Sequence, residues 1–162
     1  MGKSSDVLRQ VSDAVAACED KKAEDISIME LDKDAGSFTD YFVVCSGSNP
    51  RQIQTISDEV QQKLAKTGVR PAHVEGYQQA EWVLLDYVDF VVHVFSARAR
   101  SFYNLERLWK SAKPLSVVEL RQKARGPARA AAKKAVKKPA AAAKRTKRAP
   151  AAKPRVRAPK KK

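Results

Sequence analysis

Two apolar runs, Trp82–Tyr87 and Phe90–Phe95, are separated only by Val88 and Asp89. So short a link implies an antiparallel hairpin. A third run, Tyr41–Cys45, is apolar without alternation, which suits a central strand covered on both faces. Ile26–Leu31 alternates and predicts another strand, and His73–Glu75 reads as a loop or a short strand. Between these lie amphipathic stretches. Val7, Leu8, Val11, Ala14, Val15 and Cys18 recur at helical spacing over Ser5–Asp20, with Ser4 or Ser5 able to cap them. Ile53, Ile56, Val60 and Leu64 do the same over Arg51–Lys66, which Gly68 closes. Phe102, Leu105, Leu108 and Trp109 mark a third helix, Ala99–Ser111, stopped by Pro114. Ser116–Leu120 is a short apolar segment expected to dock back onto the body. Strands too apolar to be one-sided, alternating with helices, predict an α/β or α+β class: a mixed β-sheet flanked by helices.

Charge divides the chain in two. The 42 residues Arg121–Lys162 contain eighteen Lys or Arg and no Asp or Glu. Residues 1–120 hold fourteen basic residues against all eighteen acidic ones, so the overall +14 hides a body of −4. A body of that length is one domain with room for a core. The stretch 121–162 is Lys/Ala/Pro-rich and without aromatics, too poor in apolar surface to offset the entropy of ordering, so a disordered basic tail is expected. No run is long and apolar enough for a membrane span, and the polar start MGKSSDVLRQ lacks a secretory core, so a cytoplasmic protein without membrane contact is expected. Cys18 and Cys45 have no metal or redox spacing and read as buried, reduced thiols.

Chemistry is hard to assemble. Gly47 and Ser48, between a strand and a helix, are the most enzyme-like feature. In nucleotidyltransferase folds such a pair holds a triphosphate, and metal-binding carboxylates follow about ten residues later on a strand. Here the acids at that distance are Asp58 and Glu59, neighbours on a predicted helix, pointing about 100° apart and unable to clamp one metal ion. Asp86 and Asp89 stand far from the Gly-Ser loop. A strand-to-helix turn capped by Asn49 or Ser48 is the favoured reading over phosphate binding. His73 and His93 form no metal-ligand pattern, and His93 reads as a hydrogen-bonded structural histidine. No cofactor or metal is expected.

Trp82, Leu84 and Asp86 share one face of their strand. Nearby turns add Asp89 and, with a suitable bend, Glu75 and Glu81; Tyr87 ends the run. A tryptophan ringed by carboxylates fits a hot spot facing a basic protein. A tryptophan that merely caps the core fits the spacing equally well.

At these residues the chain resembles the ribosomal silencing factor family, also called Iojap-like. The matching strings are Thr39–Gly47 (TDYFVVCSG), Arg51–Ile53 (RQI), Val74–Gly76 (VEG), Glu81–Tyr87 (EWVLLDY), Asp89–Phe95 (DFVVHVF) and Phe102–Trp109 (FYNLERLW). Val88 departs from the glycine usual in the hairpin turn, and the basic tail lies outside the pattern. The resemblance implies a nucleotidyltransferase-like fold without catalytic carboxylates, and a protein that is not an enzyme. It implies binding to the large ribosomal subunit through ribosomal protein L fourteen, steric blocking of subunit joining, and lower translation when nutrients are short. It also implies that Trp82 and its acidic neighbours make the contact, and that a homodimer forms when the protein is free. The body's −4 charge is complementary to a basic ribosomal protein. The tail, through Lys133, Lys134, Lys137, Lys138, Lys144, Arg145, Lys147 and Arg148, is expected to hold ribosomal RNA by phosphate contacts without base readout. The alternatives are a nucleotidyltransferase-like enzyme with unorthodox carboxylates and a nucleic-acid-binding protein driven by its tail.

Overall fold

Seven consecutive buried residues, Tyr41–Gly47, form the strand on which the molecule is assembled. A computed structural model describes residues 2–135, with side chains as far as Gly126. In chain order its elements are α1 (Lys3–Asp20), β1 (Glu24–Glu30), β2 (Tyr41–Gly47), α2 (Pro50–Ala65), β3 (His73–Glu75), β4 (Trp82–Asp86), β5 (Phe90–Ser96), α3 (Ala97–Tyr103), α4 (Leu105–Leu108), β6 (Lys113–Leu115) and α5 (Val117–Ala135). The strands form one sheet in the order β3-β4-β5-β2-β1-β6. β2 and β5 run parallel, with Val44 beside His93; the other neighbours are antiparallel. This is the mixed sheet expected, and β4–β5 is the hairpin expected.

The centre of the sheet is dry on both faces because β2 and β5 carry apolar side chains on both parities. On one face α1, α2 and α5 pack Val11, Val15, Ile53, Ile56, Val60 and Leu120 against Val43, Val83, Leu85 and Val92. Each such side chain fully buried contributes about 1.5–3 kcal/mol. On the other face only α3 and α4 cover Phe42, Val44, Val91 and Phe95, through Ala99 and Leu105. That second layer is short, and it leaves β3 and β4 open. Cys18 and Cys45 are buried and free, their Sγ atoms 3.8 Å apart. The contact with Cys45, followed by burial, holds the Cys18 thiol well above its usual pKa.

Local signals explain most boundaries. Asn49 caps α2 by accepting the Gln52 N–H at 2.8 Å, and Pro50 occupies the first turn. Ser4 and Ser5 do not cap α1: Gly2 stands at the cap, and the Ser5 hydroxyl donates to its carbonyl instead. β6, which falls in the stretch around Pro114 that the sequence left unassigned, is an edge strand, where a proline is tolerated.

Two expectations are corrected. The helix expected over Ala99–Ser111 is broken at Asn104, which takes a left-handed conformation (φ 43°) and lets its N–H cap Arg100. Asn tolerates that region, so the helical phase restarts there. Ala99 and Leu105 consequently face the sheet, while Phe102 and Leu108 point outward, 80% and 74% exposed. The tail boundary at 120 also falls inside a helix. Ser116 and Glu119 cap α5 reciprocally, the Ser116 N–H donating to Glu119 and the Glu119 N–H to Ser116 Oγ at 3.1 Å. Leu120 and Ala124, one turn apart, bury against α1, while Arg121 pairs with Glu19 and Lys123 with Glu30. Net charge misled here, because these cations sit beside a buried Leu-Ala stripe and are neutralised by the body. Gly126 (φ 63°) then kinks the helix before Pro127. Lys133 and Lys134 lie on its helical continuation; Lys137, Lys138, Lys144, Arg145, Lys147 and Arg148 lie outside the described residues.

The hairpin turn carries a strained residue. Val88 is held at φ 71°, its N–H bonded to Asp86 Oδ1 at 2.8 Å, with its side chain 62% exposed. A β-branched residue gains nothing there and bears the left-handed penalty. Val88→Gly is expected to raise stability by about 1 kcal/mol in urea unfolding. A loss of stability instead would show that the turn is unstrained.

Candidate functional site

The open part of the sheet presents a row of aromatic rings. Trp82, Leu84 and Asp86 project from β4 on the face away from α1 and α2, opposite Phe95, His93 and Val91 of β5. Because α3 and α4 stop short, Trp82 and Leu84 remain only half-buried. Trp82 stacks on Phe95 (centroids 4.9 Å apart, 28°) and leans on Tyr103 at 4.6 Å, which in turn meets Phe102 at 5.1 Å. In the other direction the rings continue through His93, Phe42 and Trp109 to Phe38, which is 71% exposed. Beside Trp82 lies an open groove of about 620 Å³ lined by Glu81, Arg98, Phe102 and Tyr103.

The acidic residues expected around Trp82 separate into two groups. Glu75 of β3 faces Leu84 and is exposed on the edge strand, and Glu81 is exposed at the start of β4, accepting from Ser96 Oγ at 3.3 Å. These two flank the tryptophan. Asp86 and Asp89 sit at the far end of β4, about 13 Å along the strand, where Asp86 fixes the turn and Asp89 pairs with Lys3 at 3.3 Å. Tyr87 does not belong to the surface. Its parity is opposite to that of Trp82, its ring lies on Phe90 in the helix-covered core, and burial pushes its hydroxyl up to about 12. Ending the apolar run gave no information about which way it points.

Sequence reasoning missed Phe102, Tyr103, Leu108 and Phe38 as surface residues. Asn104 was the available signal: a helix broken there changes phase. Arg98, Arg107 and Lys110 are exposed among these rings, so the face is acidic along β3–β4 and basic along α3–α4. Arg100 holds the break in place by donating to Glu106 at 2.6 Å, to Ser46 Oγ at 3.0 Å and to the Asp25 carbonyl.

The Gly-Ser loop is occupied by its own chain. The Ser48 N–H and Oγ both donate to Gln52 Oε1 at 2.7 Å, and Gln52 Nε2 donates to the Lys21 and Lys22 carbonyls. A Cβ on Gly47 would stand 2.7 Å from Ile53 Cγ1, so glycine is required for α2 to close on the strand end. Asp58 accepts from the Tyr77 hydroxyl at 2.9 Å, and Glu59 pairs with Lys21 at 3.6 Å. Among the described residues no group of three His, Cys, Asp or Glu could hold a metal ion, and no helix is long and apolar enough to cross a membrane.

His93 is the buried polar group under this face. It is 4% exposed, and its Nδ1 accepts the Trp82 indole N–H at 3.0 Å. Its Nε2 is buried without a hydrogen-bond partner, which costs about 1–3 kcal/mol. Burial pushes the imidazole down from 6.5 to about 4, with Glu106 opposing weakly. The unfolded chain therefore takes up a proton near 6.5 while the folded one resists to about 4. Between these values the unfolded state binds more protons, so stability falls as the pH falls. Over that window the loss attributable to His93 approaches roughly 3 kcal/mol. Urea unfolding of wild type and His93→Asn between pH 7 and 4.5 reads it directly: the wild type should lose stability relative to the variant, and parallel curves would refute the assignment.

Taken together, fold and face define a small α+β protein with one mixed sheet, helix-covered across one face and only partly covered on the other, where a row of aromatic rings is exposed. The family model described as "Ribosomal silencing factor during starvation" matches residues 4–149, and the chain belongs to that family. It is 42% identical over 99 residues to ribosomal silencing factor RsfS of Bacillus subtilis, covering 61% of this chain and 83% of the relative. A crystal structure from Chromobacterium violaceum matches with a TM-score of 0.61 at 36% identity, covering 66% of this chain and 88% of that one. One from Bacillus halodurans matches with a TM-score of 0.57 at 39% identity, covering 65% and 95%.

Proposed function

We propose that this protein is a translation repressor that acts by occupation rather than by chemistry. Its Trp82 face binds ribosomal protein L fourteen on the large ribosomal subunit in the cytoplasm, where its bulk keeps the small subunit away when nutrients are short. The observation that carries this reading is a half-buried tryptophan with Glu75 and Glu81 on one side and exposed Phe102 and Tyr103 on the other. Such a centre, apolar with a charged rim, is the anatomy of a protein-binding hot spot, and its acidic flank suits a basic partner. Membership of the silencing-factor family supports the ribosome as the target. The enzyme alternative is weakened because Ser48, Asp58 and Glu59 are each engaged within the fold.

The decisive experiment is subunit joining. Large subunits incubated with excess protein and then mixed with small subunits should give less 70S by light scattering, whereas undiminished joining would end the proposal. The tail contributes phosphate contacts to ribosomal RNA. Because α5 belongs to the body up to Gly126, its removal should be made after that residue, not after Leu120. The shortened protein should keep its preference for large subunits but bind more weakly, with a shallower dependence on salt. If that preference vanishes with the tail, the tail-driven reading replaces this one.

A further inference from the structure

Trp has one polar atom, a donor that needs an acceptor once it is covered. On an exposed docking face that donor would ordinarily be available to the partner. Here it is already consumed, because the Trp82 indole N–H donates to His93 Nδ1 at 3.0 Å. We propose that His93 is the positioning residue of the docking face: from inside the sheet it binds the indole N–H, fixes the ring, and leaves only the apolar rim of Trp82 for the partner. This role rests on the reading of that face as the ribosome-binding surface.

The geometry constrains the indole from three sides. Phe95 supports its plane, Tyr103 stands beside it at 4.6 Å, and His93 holds the nitrogen edge. His93 is itself immobilised, 4% exposed between Leu84 and Val44 on the neighbouring strands, with the Phe42 ring edge-on at 4.9 Å and 89°. An apolar residue at position 93 would pack among these neighbours without leaving a nitrogen unpaired, as Nε2 is left here. What it could not do is accept the indole proton. The buried imidazole is neutral at physiological pH, so an accepting Nδ1 places its proton on Nε2. The tautomer is thereby set by Trp82, and the orientation of Trp82 by the tautomer. A partner fitted to this face needs an apolar slot for the indole rim rather than a carbonyl aimed at its nitrogen.

The test compares His93→Phe, which keeps a ring but loses the acceptor, with His93→Asn, whose side-chain oxygen falls near the position of Nδ1. In the full-length ¹⁵N-labelled protein, the Trp82 indole N–H (assigned with Trp109→Phe) should exchange slowly in wild type and His93→Asn and fast in His93→Phe. The imidazole nitrogens of the wild type should report a proton on Nε2. Binding to purified large subunits should weaken about tenfold in His93→Phe, the scale of one lost hydrogen bond, and recover in His93→Asn. Unchanged indole exchange in His93→Phe overturns the proposal, as does wild-type binding by a His93→Phe protein whose indole exchanges fast. Trp82→Glu in the same assay separates the two readings. If it binds normally, the docking face itself is wrong and the positioning role falls with it. If it loses binding while His93→Phe keeps it, the face stands and His93 has no part in it.

Discussion

Trp82→Glu is expected to abolish co-sedimentation with large ribosomal subunits, a loss of at least about a hundredfold in affinity, the scale of a central hot-spot residue. The choice of glutamate makes the experiment informative. It adds negative charge to an edge that already carries Glu75 and Glu81, so attraction to a basic partner rises while the apolar anchor disappears. Retained or improved binding would mean that the Trp82 face is not the docking surface. The fold should survive, because Trp82 is half-buried on the open face and Val83 and Leu85, on the other parity, hold β4 to the helix-covered core. Far-UV circular dichroism and a cooperative urea transition check this. Trp82→Phe, which keeps ring area but cannot donate to His93, should fall between the two.

Gly76→Ala should be the most damaging single-methyl change near the site. Gly76 sits at φ 75° just after β3, and a Cβ there would lie 2.0 Å from the Trp82 carbonyl oxygen. That contact is with backbone, so no side-chain rotation relieves it; either β4 or the Gly76–Ala80 turn, closed by the Ala80 N–H to the Gly76 carbonyl at 3.0 Å, must move. The left-handed penalty and the clash together are expected to cost about 3 kcal/mol or more. Gly36→Ala is the control: φ is 73° there, but nothing stands within 4 Å of the added methyl, so only about 1 kcal/mol is expected. Equal losses from the two variants would rule out the steric account. Since the displaced strand carries Trp82, Gly76→Ala should also weaken ribosome binding beyond what its stability loss explains.

The sheet was legible in the sequence because its signals are local. Tyr41–Cys45 is apolar on both parities, and a two-residue link admits one way of pairing Trp82–Tyr87 with Phe90–Phe95. The shared face of Trp82, Leu84 and Asp86 followed from parity alone. What was not legible depended on a single backbone angle or on who faces whom. Asn104 turns left-handed and sends Phe102 and Leu108 outward, although their spacing matches one continuous buried stripe. Tyr87 sits one residue beyond Asp86 and so on the opposite side of the sheet. Arg121 and Lys123 looked like solvent-seeking tail, yet Glu19 and Glu30, 102 and 93 residues away in the chain, draw them onto the body. The Trp82–His93 bond could be foreseen only as a histidine needing some partner.

The position of α5 bears on the function proposed above. It lies against α1 on the layer opposite Trp82, reached through β6 at the far edge of the sheet from β3 and β4. Four strand spacings, about 19 Å, separate β4, which carries Trp82, from β6, after which α5 begins. Trp82 and α5 thus lie on opposite faces of the sheet. On the proposed function, phosphate contacts made beyond α5 are expected to form without competing for the Trp82 face. The expected contribution of the tail, on that same proposal, is to local concentration and to the rate of capture, and that of Trp82 is to the lifetime of the complex.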